Sequence, residues 1–245
     1  PTFSAASPAR SSSSAIFGRV MGLVALTVAF AAAGVWIGRD LTGWQWFVPW
    51  LFAIGCIIGL NVANAKGQRG LALTLLFAFG LLLGISVGST VYYYATIDPD
   101  IVAQAFAATA LFTAALGAGG YATRRDLSFL YRFLFFALLG LIVFGIVQIF
   151  LRIPGGSMVY SILGLVIFGG YVVVDFNRLR RAGSDETIPL AAGIFLDVFN
   201  IFLFFLQIFG RRWPRQPAHF LRTVKGRRFE TGEAPVVALA WSETR

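Results

Sequence analysis

Two aspartates stand where a carboxylate is costly. Asp197 lies in the middle of the apolar stretch from Ile188 to Phe209, and Asp175 closes the apolar segment before it. An ionisable group inside a bilayer costs about 2.5–3.5 kcal/mol on insertion scales, so its presence points to function. Two carboxylates held close together in a poorly solvated site cannot both ionise freely, and they share a proton. Once that proton leaves, the same oxygens form a hard site of the kind calcium takes. The chemistry is that of a proton sensor that can also hold a cation. No histidine competes for the role. The one histidine, His219, falls in a polar C-terminal stretch, and the one cysteine, Cys56, falls in an apolar one. Together they exclude an internal disulfide and a thiolate metal cluster.

Further polar residues follow each aspartate at helical spacing. Asp197, Asn200 and Gln207 share a face at i, i+3 and i+10, with Gly193 one turn earlier. Asp175, Tyr171, Gly164 and Ser161 share a face of the preceding helix. Folded as an antiparallel hairpin about Glu186, the two stripes face each other. The aspartates then stand at matched depth, eleven residues either side of the turn. The supporting polar set is Asn200, Tyr171, Asn177, Arg178, Asn64 and Gln207. A plainer alternative stays open: each aspartate pairs with a loop arginine such as Arg178, or caps a helix.

Helices that cross a membrane must position these groups. Hydrophobic residues make up 58% of the chain and charged ones 13%, against about 25% charged in a soluble domain. Mean hydropathy is +0.77. Seven segments approach the ~20 apolar residues that a ~30 Å hydrocarbon core requires: Val20–Ile37, Trp44–Ala63, Gly70–Tyr93, Ile101–Thr123, Phe129–Phe150, Met158–Val174 and Ile188–Phe209. Nothing alternates as barrel strands would. The expected fold is an all-α polytopic membrane protein of seven transmembrane helices. Residues 1–15, rich in Ser, Ala and Pro, read as a disordered tail, residues 16–210 as the membrane domain and residues 211–245 as a basic tail. The first segment has an alternative reading as a signal peptide, with Ala29-Phe30-Ala31 as the cleavage site, but its apolar run continues to Ile37.

Basic residues orient the bundle. With the N-terminus inside, the inner side collects Arg10, Arg19, Lys66, Arg69, Arg124, Arg125, Arg132, Arg178, Arg180 and Arg181, while the outer loops hold only Arg39 and Arg152. Trp36, Trp44, Trp46, Trp50 and Tyr92 to Tyr94 fall at the outer boundary, as an interfacial belt does. The tail breaks the pattern, since a fully crossing last segment puts its basic residues outside. Its side stays open. Gly80, Gly84 and Gly88, like Gly34 and Gly38, carry the spacing of close helix contact.

Three stretches carry a family resemblance. Gly120-Tyr121-Ala122-Thr123-Arg124-Arg125-Asp126-Leu127-Ser128 resembles the fourth-to-fifth helix junction of the Bax inhibitor-1 (transmembrane Bax inhibitor motif) family. Tyr171 to Asn177 resembles its sixth-helix aspartate motif. Ile188-Pro189, Phe195 to Leu203 and Phe209-Gly210-Arg211-Arg212 resemble its last helix. The resemblance runs from about Gly18 to Arg212. It implies seven helices around a central last one, and a pH-sensitive calcium leak governed by Asp175 and Asp197. Bacterial members of the family can pair a basic residue at the inner end of the second helix with the sixth-helix aspartate. Asn64 holds that place here, with Lys66 and Arg69 further along, which puts such a latch in doubt.

Three classes of function follow. The leading one is a cation leak or exchanger gated by the aspartate pair. The second is a non-conducting regulator that binds another membrane protein, such as a quality-control protease. The third, an intramembrane aspartyl protease, needs Gly-x-Gly-Asp where this chain reads Gly193-Ile194-Phe195-Leu196-Asp197, so no enzymatic activity is expected. No cofactor is expected beyond calcium held at Asp175 and Asp197. Membrane lipids, calcium and protons are the expected partners, and nucleic acid is not. The expected location is a bacterial inner membrane.

Overall fold

The computed structural model describes residues 8–151 and 153–210. Seven long helices, α1 (Pro8–Ile37), α2 (Phe47–Ala65), α3 (Arg69–Ile97), α4 (Pro99–Ala122), α5 (Ser128–Phe150), α6 (Gly156–Leu179) and α7 (Thr187–Gly210), are joined by short connections with 3-10 turns at Gly38–Asp40, Gly43–Trp46 and Ser184–Glu186. No strand occurs among the described residues. All seven helices are long and apolar enough to cross a membrane. Only helices satisfy every backbone group inside a segment, which is what hydrocarbon demands of an open chain.

Local chemistry sets the helix ends. Asp98 caps α4 by accepting from Asp100 N at 3.0 Å, and Pro99 takes the first helical position. α2 ends in a Schellman motif around Gly67 (φ 70°), with Gln68 N donating to Ala63 O and Gly67 N to Asn64 O. Two boundaries depart from the expectation. α1 reaches back to Pro8, so residues 8–15, read as tail, are helical. α6 runs past Asp175 to Leu179, because the polar residues after the aspartate pack on other loops rather than ending the helix. Residues 1–7, Arg152 and the basic tail 211–245 lie outside the described residues.

The helices pack through small residues. A Cβ on Gly84 would meet the Ala31 carbonyl, and one on Gly88 would stand 2.6 Å from the Gly38 carbonyl carbon, so α1 and α3 touch backbone to backbone. Gly120 of α4 lies in the same way on the Val173 carbonyl of α6. The last helix is central: 56% of its apolar window is buried, against 11% for α5. Trp36, Trp44, Trp46, Trp50, Tyr92 and Tyr93 are exposed at the end holding the α1–α2 and α3–α4 connections. Arg39 stacks on Trp36 there at 4.6 Å. The opposite, basic end holds the α2–α3, α4–α5 and α6–α7 connections. Arg181 bonds to Asp126 at 3.0 Å, and Arg69 to Asp185. Asp185 is therefore a paired residue, although it is exposed.

Candidate functional site

The site lies on the seam between α6 and α7. Three contacts fix the register. Ser161 donates to Gln207, Gly164 carries the Phe204 ring, and Asp175 Oδ2 lies 2.7 Å from where a Cβ on Gly193 would stand. Each step along α6 is matched by an equal step back along α7, as antiparallel packing requires. That register sets Asp197 opposite Tyr171. The two aspartates are not at matched depth: they are offset by one helical turn, about 6 Å along the axis. The reason is the turn itself. α6 continues to Leu179 and α7 starts at Thr187, so the hairpin folds ahead of Glu186 rather than about it.

Both carboxylates are buried, Asp175 at 3% exposure and Asp197 at 5%. Asp197 sits ten residues into α7, about 15 Å from its start and so near the bilayer midplane. Asp197 lies within electrostatic reach of Asp175. Asp175 Oδ1 and Asp197 Oδ2 are buried without a hydrogen-bond partner. A buried acceptor left so costs about 1–3 kcal/mol, and more when charged, which favours a proton or a cation on the carboxylate. Among the described residues no third His, Cys, Asp or Glu joins the pair. Two carboxylates supply at most about four of the six to eight oxygens calcium takes, so water would complete the shell. The set suits a transient cation better than a resident one.

Of the supporting residues, Tyr171 belongs to the site. It is buried and close enough to feel both carboxylates. Its ring meets Tyr131 of α5 edge-on at 5.3 Å. Arg178 lies over the Tyr131 ring at 5.6 Å; its charge reaches Asp175, but no ion pair joins them among the described residues.

The other four expected residues lie elsewhere. Asn177, fully buried, donates to the carbonyls of Thr123 (2.8 Å), Arg125 (3.1 Å) and Gly120 (3.2 Å), and accepts from Arg181 and Leu127. It clasps the α4–α5 junction to α6, because two positions past Asp175 a helix points to another face. Asn64 donates to the Asp185 carbonyl at 2.9 Å and steadies the α6–α7 connection. Gln207 pairs with Ser161 ten residues from Asp197, toward the other end of the seam. Asn200 donates to Leu196 O of its own helix at 2.8 Å.

The sequence reading missed Tyr131, a hydroxyl among the phenylalanines of α5 near Arg132.

With this arrangement in view, the chain can be set beside known proteins. A sequence model described as "Inhibitor of apoptosis-promoting Bax1" matches residues 14–213. The chain belongs to that family, the Bax inhibitor-1 family. The Escherichia coli (strain K12) protein "Inner membrane protein YbhL" is 28% identical over 184 residues, covering 68% of this chain and 77% of that protein. An "Uncharacterized membrane protein" of Vibrio cholerae serotype O1 is 28% identical over 162 residues, covering 65% and 72%. A Caulobacter vibrioides protein is 32% identical over 164 residues, covering 63% and 64%. The seven spans and this kinship make the family member an integral protein of a bacterial inner membrane.

Proposed function

We propose that this family member is a pH-sensitive cation leak or exchanger, with calcium as its cargo, governed by Asp175 and Asp197. The observation that carries the reading is the pair itself: two carboxylates on one helix seam, each with an unpartnered buried oxygen, Asp197 near the bilayer midplane and Asp175 one turn nearer the basic end. Keeping one such group in a membrane is expensive, and keeping two within electrostatic reach is more so unless a proton or cation comes and goes. A shared proton closes the site, and its loss frees oxygens for the ion. The test is calcium efflux from liposomes holding the purified full chain, across about pH 6 to 8, where a shared proton would titrate. Asp197→Asn keeps the shape and leaves one titrating carboxylate, so efflux becomes nearly flat with pH. A well-folded Asp197→Asn that keeps the full pH response removes the pair as the sensor.

One observation favours a second reading, a non-conducting regulator of another membrane protein. Phe204 lies on Gly164 with Tyr160 and Phe168 around it at 5.7 and 5.9 Å, and it fills the seam between the aspartates and Gln207. In the first reading this cluster is the barrier that an ion must displace. In the second it never opens, and the wild-type protein gives no efflux at any pH.

A further inference from the structure

A groove of about 770 Å³ runs between α1 and α4, where the two helices part. Met21 and Val28 of α1 line one side, Ala110 and Ala114 of α4 the other, and Phe176 of α6 and Val198 of α7 complete the lining. All four segments cross the membrane, so the groove opens sideways to the bilayer. Along α4 its lining extends from Phe106 to Ala122, about 24 Å by helical rise and longer than the ~15 Å depth of one leaflet. Its surface is almost wholly apolar. The Thr109 hydroxyl is engaged by the Ala105 carbonyl at 2.7 Å, whereas Thr113 Oγ1 is buried without a partner.

The basic end of the groove carries charge. Arg124 and Arg125 follow directly on Tyr121 and Ala122 of the lining, and both are exposed. Two other loop cations at this end are ion-paired, Arg69 with Asp185 and Arg181 with Asp126, and Arg180 is bonded to the Thr123 carbonyl. Arg124 and Arg125 make no ion pair among the described residues. A transmembrane helix, about 10 Å thick, would lie over the groove rather than inside it. A single acyl chain is thin enough, and a phosphate suits the two free guanidiniums at headgroup level.

We propose that the groove is a binding site for an anionic glycerophospholipid of the leaflet at the basic end, with an acyl chain along α4 and the phosphate at Arg124 and Arg125. Phe176 and Val198 each follow an aspartate of the seam in the chain, so the lipid lies against the turns that carry Asp175 and Asp197. The site does not depend on the ion reading.

The full chain is reconstituted in nanodiscs of equimolar phosphatidylcholine and phosphatidylglycerol, released gently into detergent and weighed by native mass spectrometry. Wild type retains phosphatidylglycerol in preference to phosphatidylcholine. Ala114→Phe fills the groove and loses it, and Ala118→Leu serves as an independent filler should the first not fold. Ala115→Phe, exposed and outside the lining, keeps it. Arg124→Gln with Arg125→Gln weakens retention roughly 30-fold, from about 5-fold per arginine, and erases the headgroup preference. The proposal is overturned if wild type carries no lipid, retains both lipids equally, or retains as much in the folded groove-filled variants. A mass of two chains that Ala114→Phe splits would overturn it too, and assign the groove to a second copy.

Discussion

Gly164 gives the sharpest test of the seam that carries the aspartates. Phe204 lies on it so closely that a Cβ at 164 would overlap the ring, with Cε1 only 2.6 Å away. The ring is closely surrounded: Tyr160 meets it edge-on, Phe168 at a tilt, and it is buried to 7% exposure. Gly164→Ala gains about 1 kcal/mol of helix propensity. Overpacking costs typically about 1–3 kcal/mol, so the net effect is a loss of up to about 2 kcal/mol. Phe204→Ala alone loses ring contacts; about 3–5 kcal/mol in a soluble core is an upper bound, since lipid is as apolar as the seam. In the double variant the new methyl occupies space the ring has left. The cost is then smaller than the sum by about 0.5–3 kcal/mol, the range for residues in contact. Reversible unfolding of the four proteins in mixed micelles measures this coupling. Strict additivity would mean that 164 and 204 do not touch. The register would then be wrong, and with it the placing of Asp197 opposite Tyr171. Calcium efflux adds a functional arm: if the ring closes the path, Phe204→Ala leaks at every pH where the wild type is shut.

Gly193→Ala puts a methyl 2.7 Å from Asp175 Oδ2 and shifts that carboxylate, so the pH midpoint of efflux moves while the melting temperature stays within a few degrees. An unchanged midpoint would mean that Asp175 does not lean on Gly193. Gly84→Val drives side-chain atoms into the Ala31 carbonyl and costs at least about 1–3 kcal/mol, read as lost thermal stability; a normal melting curve would contradict backbone contact between α1 and α3. Asp126, at the clasp, is held below the ordinary 3.8 first by the hydrogen bond from Arg181 and then by Ser128. A carboxyl so depressed lends stability above its unfolded value and withdraws it as pH falls toward its folded one. Asp126→Asn therefore weakens the fold at neutral pH, and the difference fades in acid below about pH 4. A difference that grows on acidification would reverse that assignment.

The spans were legible because hydrocarbon imposes length and apolarity on any segment that crosses it. The aspartates were legible because they break that rule. What the sequence could not supply is how the two helices slide past each other. Counting outward from Glu186 assumed a symmetric turn, whereas the real connection spends its polar residues unequally. Arg180 bonds the Thr123 carbonyl and Arg181 bonds Asp126, while Asp185 is drawn to Arg69 and Asn64. Each bond reaches a distant loop. The same holds for Asn177: its helix position is readable, but the carbonyls it donates to lie more than fifty residues upstream. Polarity near a site in sequence did not mean polarity at the site.

Two kinds of contact divide this bundle. α1 and α3 meet through glycines set against backbone, where no side chain can yield; α4 and α6 meet so at Gly120, and through the Phe176 and Leu116 side chains at Gly117 and Gly169. α7 is held differently. Phe195 meets Phe79 of α3, Phe202 and Phe205 meet Phe106 and Phe112 of α4, and Phe204 meets Tyr160 and Phe168 of α6. Aromatic rings have alternative rotamers, whereas backbone locked on backbone has none. Any motion that changes access to Asp197 is therefore cheapest as rotation of rings around α7, with the glycine-locked pairs moving as units. Its one glycine contact near the acids, Gly193 against Asp175, then becomes the place where ring motion is felt by a carboxylate. Asp197 thus sits on the ring-held helix, while Asp175 sits on α6, in one of the glycine-locked pairs, and the seam joins the two kinds of contact.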